Sequence, residues 1–266
     1  MKKGLLLLIL LVSFKGYSQK DSIVNYLDKK GKITKDKEIA RSFEIITKKS
    51  DSLWFVRKFR RSGKLYNYTY YKSKDKKNKI GESVNFNKYG KMTSLLYYNN
   101  KGEKHGKETR WFDNGNKNIE ALYLKGNKEG VWKLYHYNGT IASRGVFKND
   151  SLLKSTFYNL QGNKIDFKYV NFKIKKPTFK GGNKKYIDKL KKLIRNIDFK
   201  VKGKVNVYYV IDTKGRIKDV TIDEELPTKL KEQITTFFEN IEGWIPATHL
   251  NRTIPFNFSQ PLNFRG

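Results

Sequence analysis

Cysteine is absent from all 266 residues. That excludes a disulfide framework, a thiolate metal site and lipid attachment at a cysteine behind an export signal. Histidine is scarce: His105, His136 and His249 show neither His-x-x-x-His spacing nor a neighbouring carboxylate pair, so zinc and facial-triad sites lack a ligand set. Five prolines leave nothing for a proline-rich spacer. Acidic residues are also few, 25 against 57 Lys and Arg, for a formal charge of +32. The excess is mostly lysine, scattered along the chain among asparagines. Nucleic-acid binders gather basic residues on one face and use arginine for bidentate contacts, so no nucleic-acid partner is expected. Most lysines read as solvated surface, with a general attraction to anionic membranes or acidic partners.

Catalytic signatures are missing as well. There is no Gly-x-Ser-x-Gly elbow, and Gly181-Gly182 lacks the Lys-Ser or Lys-Thr of a phosphate loop, so it reads as a tight turn. Glu224-Glu225, in the only local acid cluster of the tail, suits a helix entrance better than acid-base work. No catalytic residue, metal or cofactor is expected; the chain reads as a non-enzyme.

At the start, Lys2 and Lys3 precede an uncharged run from Gly4 to Phe14, GLLLLILLVSF, followed by Gly16-Tyr17-Ser18. This is the layout of a secretory signal peptide over residues 1–18, cleaved between Ser18 and Gln19. A membrane span needs about 20 apolar residues, and this run has eleven. The expected location is periplasmic, with membrane anchoring only if the signal is retained.

What the chain has in abundance is periodic glycine and aromatic residues. Gly81, Gly106 and Gly130, spaced 25 and then 24 residues apart, are each followed nine residues later by Gly90, Gly115 and Gly139. Phe86, Trp111 and Tyr135 stand four residues before the second glycine, and Tyr98, Tyr123 and Phe147 eight residues after it. The pattern weakens outward, through Phe59, Gly63 and Tyr71 upstream and Tyr158 and Gly162 downstream, as terminal repeats do. Within a unit, GKETRWF and GVWKLYHY alternate apolar and polar residues, and a return run such as NIEALYL follows the turn. Asn114-Gly115 and Asn138-Gly139 predict type I′ hairpins, both central positions tolerating positive φ. A lone hairpin is marginal in water, so the units are expected to stack into an elongated antiparallel sheet. Trp111, Trp132 and Tyr135 are the candidate binding rings on its surface. Trp132 stands out because Ser83 and Glu108 hold its position in the other units.

The stretch WFDNGNKNIEALYLKGNKEG, Trp111 to Gly130, resembles the MORN-repeat variant of bacterial exported proteins. The resemblance runs from about Trp54 to Val170, which places an array over 54–172 and a leader over 19–53. Tyr26 to Tyr71 is similar to the leader of such arrays in flavobacterial-type proteins.

Character changes at Lys175-Lys176-Pro177, where a hinge is expected. Tyr186, Ile187, Leu190, Leu193, Ile194 and Ile197 fall at helical spacing. A strand is predicted over Lys204 to Ile211 with Val205, Val207, Tyr209 and Ile211 on one face. A turn at Asp212 to Gly215 and a partner strand to Ile222 follow. A second helix is read over Thr228 to Ile241 with Gly243 as its cap, and a last strand over Arg252 to Phe258. Two helices on one side of a three-stranded antiparallel sheet form the expected small α+β domain, over 177–266.

Pro177 to Gly182, Gly203 to Ile222, Trp244-Ile245-Pro246-Ala247 and Thr253 to Phe258, in that order, resemble the TonB C-terminal domain of Bacteroidota-type exported proteins. The family's Tyr-Pro after the first helix is here Asp198-Phe199. The resemblance implies that an extended peptide, from an envelope protein or a TonB-dependent outer-membrane transporter, pairs with the last strand, Arg252, Thr253, Ile254, Pro255, Phe256, Asn257 and Phe258. The expected function is a periplasmic adaptor. The alternatives are an anchored TonB-type energy transducer for transport across the outer membrane, or an array that binds glycan or anionic envelope polymer.

Overall fold

A computed structural model describes residues 22–197, 202–222 and 226–265. The expected signal and its cleavage site at Ser18 and Gln19, Asp198-Phe199 and Glu224-Glu225 lie outside the described residues. The chain is mainly β. Thirteen strands form one antiparallel sheet: β1 (Ser22–Leu27), β2 (Ile33–Thr34), β3 (Ser42–Ser50), β4 (Leu53–Arg60), β5 (Leu65–Tyr71), β6 (Lys79–Phe86), β7 (Met92–Tyr98), β8 (Gly106–Trp111), β9 (Lys117–Leu124), β10 (Asn127–Tyr135), β11 (Ile141–Lys148), β12 (Ser151–Tyr158) and β13 (Lys164–Ile165). From β3 to β13 each strand pairs with the next in sequence; β1 lies between β3 and β2. The expected leader is therefore no separate segment. Its residues 22–50 supply three strands of the same sheet, because the β3 ladder continues directly into β4. Both end strands are two residues long, which blunts the sheet's edges.

The periodic glycines and rings have a shared structural job. Gly81 lies opposite Tyr98, Gly106 opposite Tyr123, and Gly130 opposite Phe147 on the neighbouring strand. A lysine two residues before each glycine then covers the same ring: Lys79 over Tyr98 at 5.0 Å, Lys104 over Tyr123 at 4.7 Å, and Lys128 over Phe147 at 5.1 Å. A cation over a ring face is attracted by the ring quadrupole, by about 0.5–1 kcal/mol at exposed sites. These three lysines are ring caps rather than free solvated charge.

The hairpin turns differ from the type I′ expectation. Gly115 N–H donates to Phe112 O, and Gly139 N–H to His136 O. Both glycines have positive φ, whereas Asn114 and Asn138 do not. This is the type I turn with a glycine bulge, and a register shift sits just before it in each ladder. The asparagines serve sideways instead. Asn114 Nδ2 donates to Tyr137 O (2.9 Å) and Asn138 Nδ2 to Leu160 O (3.3 Å), stitching one turn to the next.

After a 3₁₀ turn at Phe167–Tyr169, the tail contains β14 (Thr178–Phe179), α1 (Gly182–Arg195), β15 (Lys202–Ile211), β16 (Ile217–Ile222), α2 (Thr228–Glu239), β17 (Trp244–Ile245), β18 (Ala247–His249), β19 (Arg252–Ile254) and β20 (Phe256–Arg265). Its sheet has the order β16-β15-β20. The alternating Val205, Val207, Tyr209 and Ile211 meet Tyr186, Leu190 and Leu193 of α1 and Leu230, Ile234 and Phe238 of α2 in a single core. Both helices thus cover one sheet face. β14 pairs with β17, a strap that seats Phe179 and Trp244 in that core. Gly243 lies beyond the end of α2, against the Phe179 ring. The expected hinge at Lys175 is a bridge, with two backbone hydrogen bonds to Thr248.

One expected strand is divided. Arg252–Ile254 pairs with Ala247–His249 in a small hairpin, and the sheet strand begins only at Phe256 and runs to Arg265. Pro255 lies between the two, where its missing N–H breaks no ladder.

Gly215 closes the turn between β15 and β16 at φ +78, and a Cβ there would lie 2.1 Å from the Trp244 carbonyl oxygen. Wrong-handed backbone and backbone overlap act together, so Gly215→Ala should lower stability by at least about 2 kcal/mol. A urea melt of the tail's aromatic signals checks this.

Candidate binding surfaces

The tail is docked against the long sheet through a buried cation. Arg252 is 6% exposed, and its Nη1 donates to Asn118 O (3.1 Å), Asn118 Oδ1 (2.5 Å) and Tyr135 O (3.1 Å). Burial pulls its pKa down to about 10. Carbonyl dipoles take the place of a counter-ion here. Two ion pairs flank it: Lys218 reaches Asp113 at 2.7 Å and Lys88 reaches Asp219 at 2.7 Å. Each is partly solvated and contributes little alone, but together they fix the angle at which β16 meets the turns of the sheet. Desolvation works to raise the Asp113 carboxyl, while hydrogen bonds from Lys218 and Tyr137 hold it below its usual range.

The three candidate rings are not brought together. Trp111 lines a cleft of about 650 Å³ between sheet and tail, with Tyr89, Asp113, Lys218 and Pro255 on its walls. Tyr135 is buried, and its hydroxyl donates to Glu120 Oε2. Trp132 faces the other way, three residues back on the same strand. Its Nε1 donates to Leu122 O at 3.0 Å, and its ring packs against Tyr123 and Phe147. It lines a small apolar cavity of about 300 Å³ with Leu134 and Phe157, covered by Phe172, His249 and Leu250. His136 is buried at a turn, its Nε2 3.0 Å from Tyr158 O. Among the described residues no group of three or more His, Asp or Glu side chains could hold a metal ion.

The expected peptide edge falls on two elements. Arg252, Thr253 and Ile254 are paired in the docking hairpin, leaving Phe256, Asn257 and Phe258 at the start of β20. β20 is a ten-residue strand that among the described residues pairs only with β15. Asn257, Ser259, Pro261 and Asn263 are exposed, while Leu262 and Phe264 are buried. Pro261 has no N–H, and its carbonyl accepts the Gln260 side-chain amide at 2.9 Å, so its polar edge faces away from β15. By alternation the N–H groups of Asn257, Ser259 and Asn263 face the same free side. The strand expected to end at Phe258 runs on to Arg265, and Pro261 is accommodated within it because an edge position is where a strand tolerates proline.

Against known proteins, the chain matches no family model and no curated protein.

Two outcomes are expected here. Arg252→Met leaves the Tyr135 and Asn118 carbonyls without their buried donor and should destabilise by about 1–3 kcal/mol, read as a lower urea midpoint with protease cleavage appearing near 171–177. Burial works to raise Glu120, yet hydrogen bonds from Lys117, Tyr135 and Lys107 bring it down to about 2 from 4.5. A depressed carboxylate contributes stability above its unfolded pKa and loses it as pH falls from about 4.5 toward 2. Tyr135→Phe should therefore move the Glu120 carboxyl titration upward and acid unfolding to higher pH, measured by carboxyl-carbon NMR.

Proposed function

We propose that the chain is a non-enzymatic envelope adaptor, exported through residues 1–18, whose TonB C-terminal-like tail takes an extended peptide by strand addition along β20 while the MORN-like sheet acts as its spacer. The observation that carries this reading is the side of β20 left unpaired, among the described residues, over ten residues. Main-chain hydrogen bonds give affinity in this mode and alternate side chains give selectivity. The other edge of the small sheet, β16, is tied to the long sheet through Lys218 and Asp219, so β20 is the side open to a partner. The partner class is an envelope protein or an outer-membrane transporter segment in extended form.

A phage-displayed library of random nine-residue peptides, selected on the full chain from Gln19 onward, tests the reading. Selected peptides should shift and protect the amides of Asn257, Ser259 and Asn263. Ser259→Pro, which deletes one outward donor without touching the ladder to β15, should weaken them about tenfold. No enrichment, or shifts confined to other elements, would overturn it.

A further inference from the structure

The long sheet carries a second surface, defined by the side chains two and four residues beyond each periodic glycine. These are Ser83 and Asn85 in the first unit, Glu108 and Arg110 in the second, and Trp132 and Leu134 in the third. Strand alternation turns all six to the same face as the glycines. Register then aligns them with their neighbours. Lys58, Asn67, Asn85, Ser94 and Arg110 lie opposite one another across β4 to β8, and the row continues as Ile119 and Leu134. One face therefore changes from polar to apolar along its length. Phe172, His249 and Leu250 lie over the apolar part. The polar part is a trough of about 660 Å³ lined only by residues of β4 to β8.

Its hydrogen-bonding groups are ordered but incompletely used. Asn67 Nδ2 donates to Asn85 Oδ1 at 3.0 Å, Asn85 Nδ2 to Ser94 Oγ at 2.8 Å, and the Thr69 and Ser83 hydroxyls share a bond of 2.7 Å. Arg110 Nε donates to Glu108 Oε1, leaving its two terminal amino groups for a ligand. Glu108 is 2% exposed, and its Oε2 is buried with no hydrogen-bond partner. The Tyr123 phenol accepts from Lys104 at 3.4 Å and turns its own hydroxyl toward the Glu108 carboxylate, which it meets by charge and hydrogen bonding outside normal geometry at Oε2. An unpartnered buried carboxylate oxygen is costly, and a donor brought by a ligand relieves that cost.

We propose that this trough binds an oligosaccharide, with Glu108 Oε2 accepting a sugar hydroxyl, Arg110 and the Asn67–Asn85–Ser94 row exchanging hydrogen bonds with others, and Leu96 meeting an apolar sugar ring face. Hydroxyls act as both donors and acceptors, which suits a wall where carboxylate, amide, hydroxyl and guanidinium alternate. An extended peptide seeks a sheet edge, whereas this is a face whose backbone is already paired. A nucleic acid seeks a run of phosphate contacts, whereas of the three cations lining the trough Arg110 is paired with Glu108 and Lys79 caps Tyr98, and the rest of the wall is amide, hydroxyl and ring. Five strands at about 4.8 Å spacing give a length of roughly 19 Å, so several linked rings fit along it. The proposal is independent of strand addition at β20.

Isotope-labelled full chain from Gln19 onward, titrated with soluble tetrasaccharides of N-acetylglucosamine, of glucose and of galacturonate, tests it. At least one should bind saturably and shift the side-chain amides of Asn67 and Asn85. Glu108→Gln, which keeps the shape, and Asn85→Ala should each weaken it about tenfold with thermal unfolding within a few degrees of the parent. Ser259→Pro should leave it unchanged, which separates this site from the peptide edge. No binding by any tetrasaccharide at millimolar concentration overturns the proposal, as does binding that survives both trough substitutions. Displacement of the sugar probe by an oligonucleotide or peptide of higher affinity overturns the ligand class.

Discussion

An aromatic ring set opposite a glycine of the next strand, with a lysine across its face, does for the long sheet what a hydrophobic core does for a globular domain. The sheet's own buried apolar cluster is small, Ile46, Val56 and Tyr71, against sixteen residues in the tail. Cohesion must therefore come from cross-strand pairs, each worth a fraction of a kcal/mol to about one. Repetition makes such small terms add up. The three Lys-x-Gly segments and their opposing rings recur at the same place in successive hairpins, so removing one unit's contact leaves its neighbours intact.

This construction frees the remaining positions. Where rings, glycines and turns hold the strands, the residues two and four places beyond each glycine can change without loss of pairing. One sheet face accordingly passes from Ser83 and Asn85 through Glu108 and Arg110 to Trp132 and Leu134. The apolar part is covered by Phe172 of the connection and by His249 and Leu250 of the docking hairpin, and the polar part is left open. The tail itself is held by Arg252, a cation desolvated against carbonyl oxygens. Its docking hairpin precedes β20 by a single residue, Pro255, so the attachment to the long sheet and the start of the open edge are coupled in the chain.

Much of this was legible in the residue order. Period, turn positions, the alternation of Val205 to Ile211 and the helical faces around Tyr186 and Phe238 are local signals, and the structure carries each of them. The sheet's first three strands were not legible, because Ser22–Ser50 lacks the periodic glycines and is recognisable only by what it pairs with. The turn type was misjudged for a similar reason. Asn114 and Asn138 tolerate positive φ, but their amides bond to the neighbouring turn, a partner more than twenty residues away. Arg252 read as one residue of an edge strand, and Pro261 read as beyond that strand's end; both readings needed to know which side of the strand faced what.

Local chemistry in the sequence by itself determined the β-rich hairpin build, the two amphipathic helices and the absence of disulfide and thiolate chemistry, since glycine spacing, alternation and composition act over a few residues. Tertiary structure alone decided which rings meet, that Arg252 is buried against Tyr135 and Asn118, that β20 keeps one side unpaired, and that Glu108 is enclosed with an oxygen unsatisfied. Those outcomes depend on cross-strand register and on the docking of segments more than a hundred residues apart, and neither is encoded in any short stretch of chain.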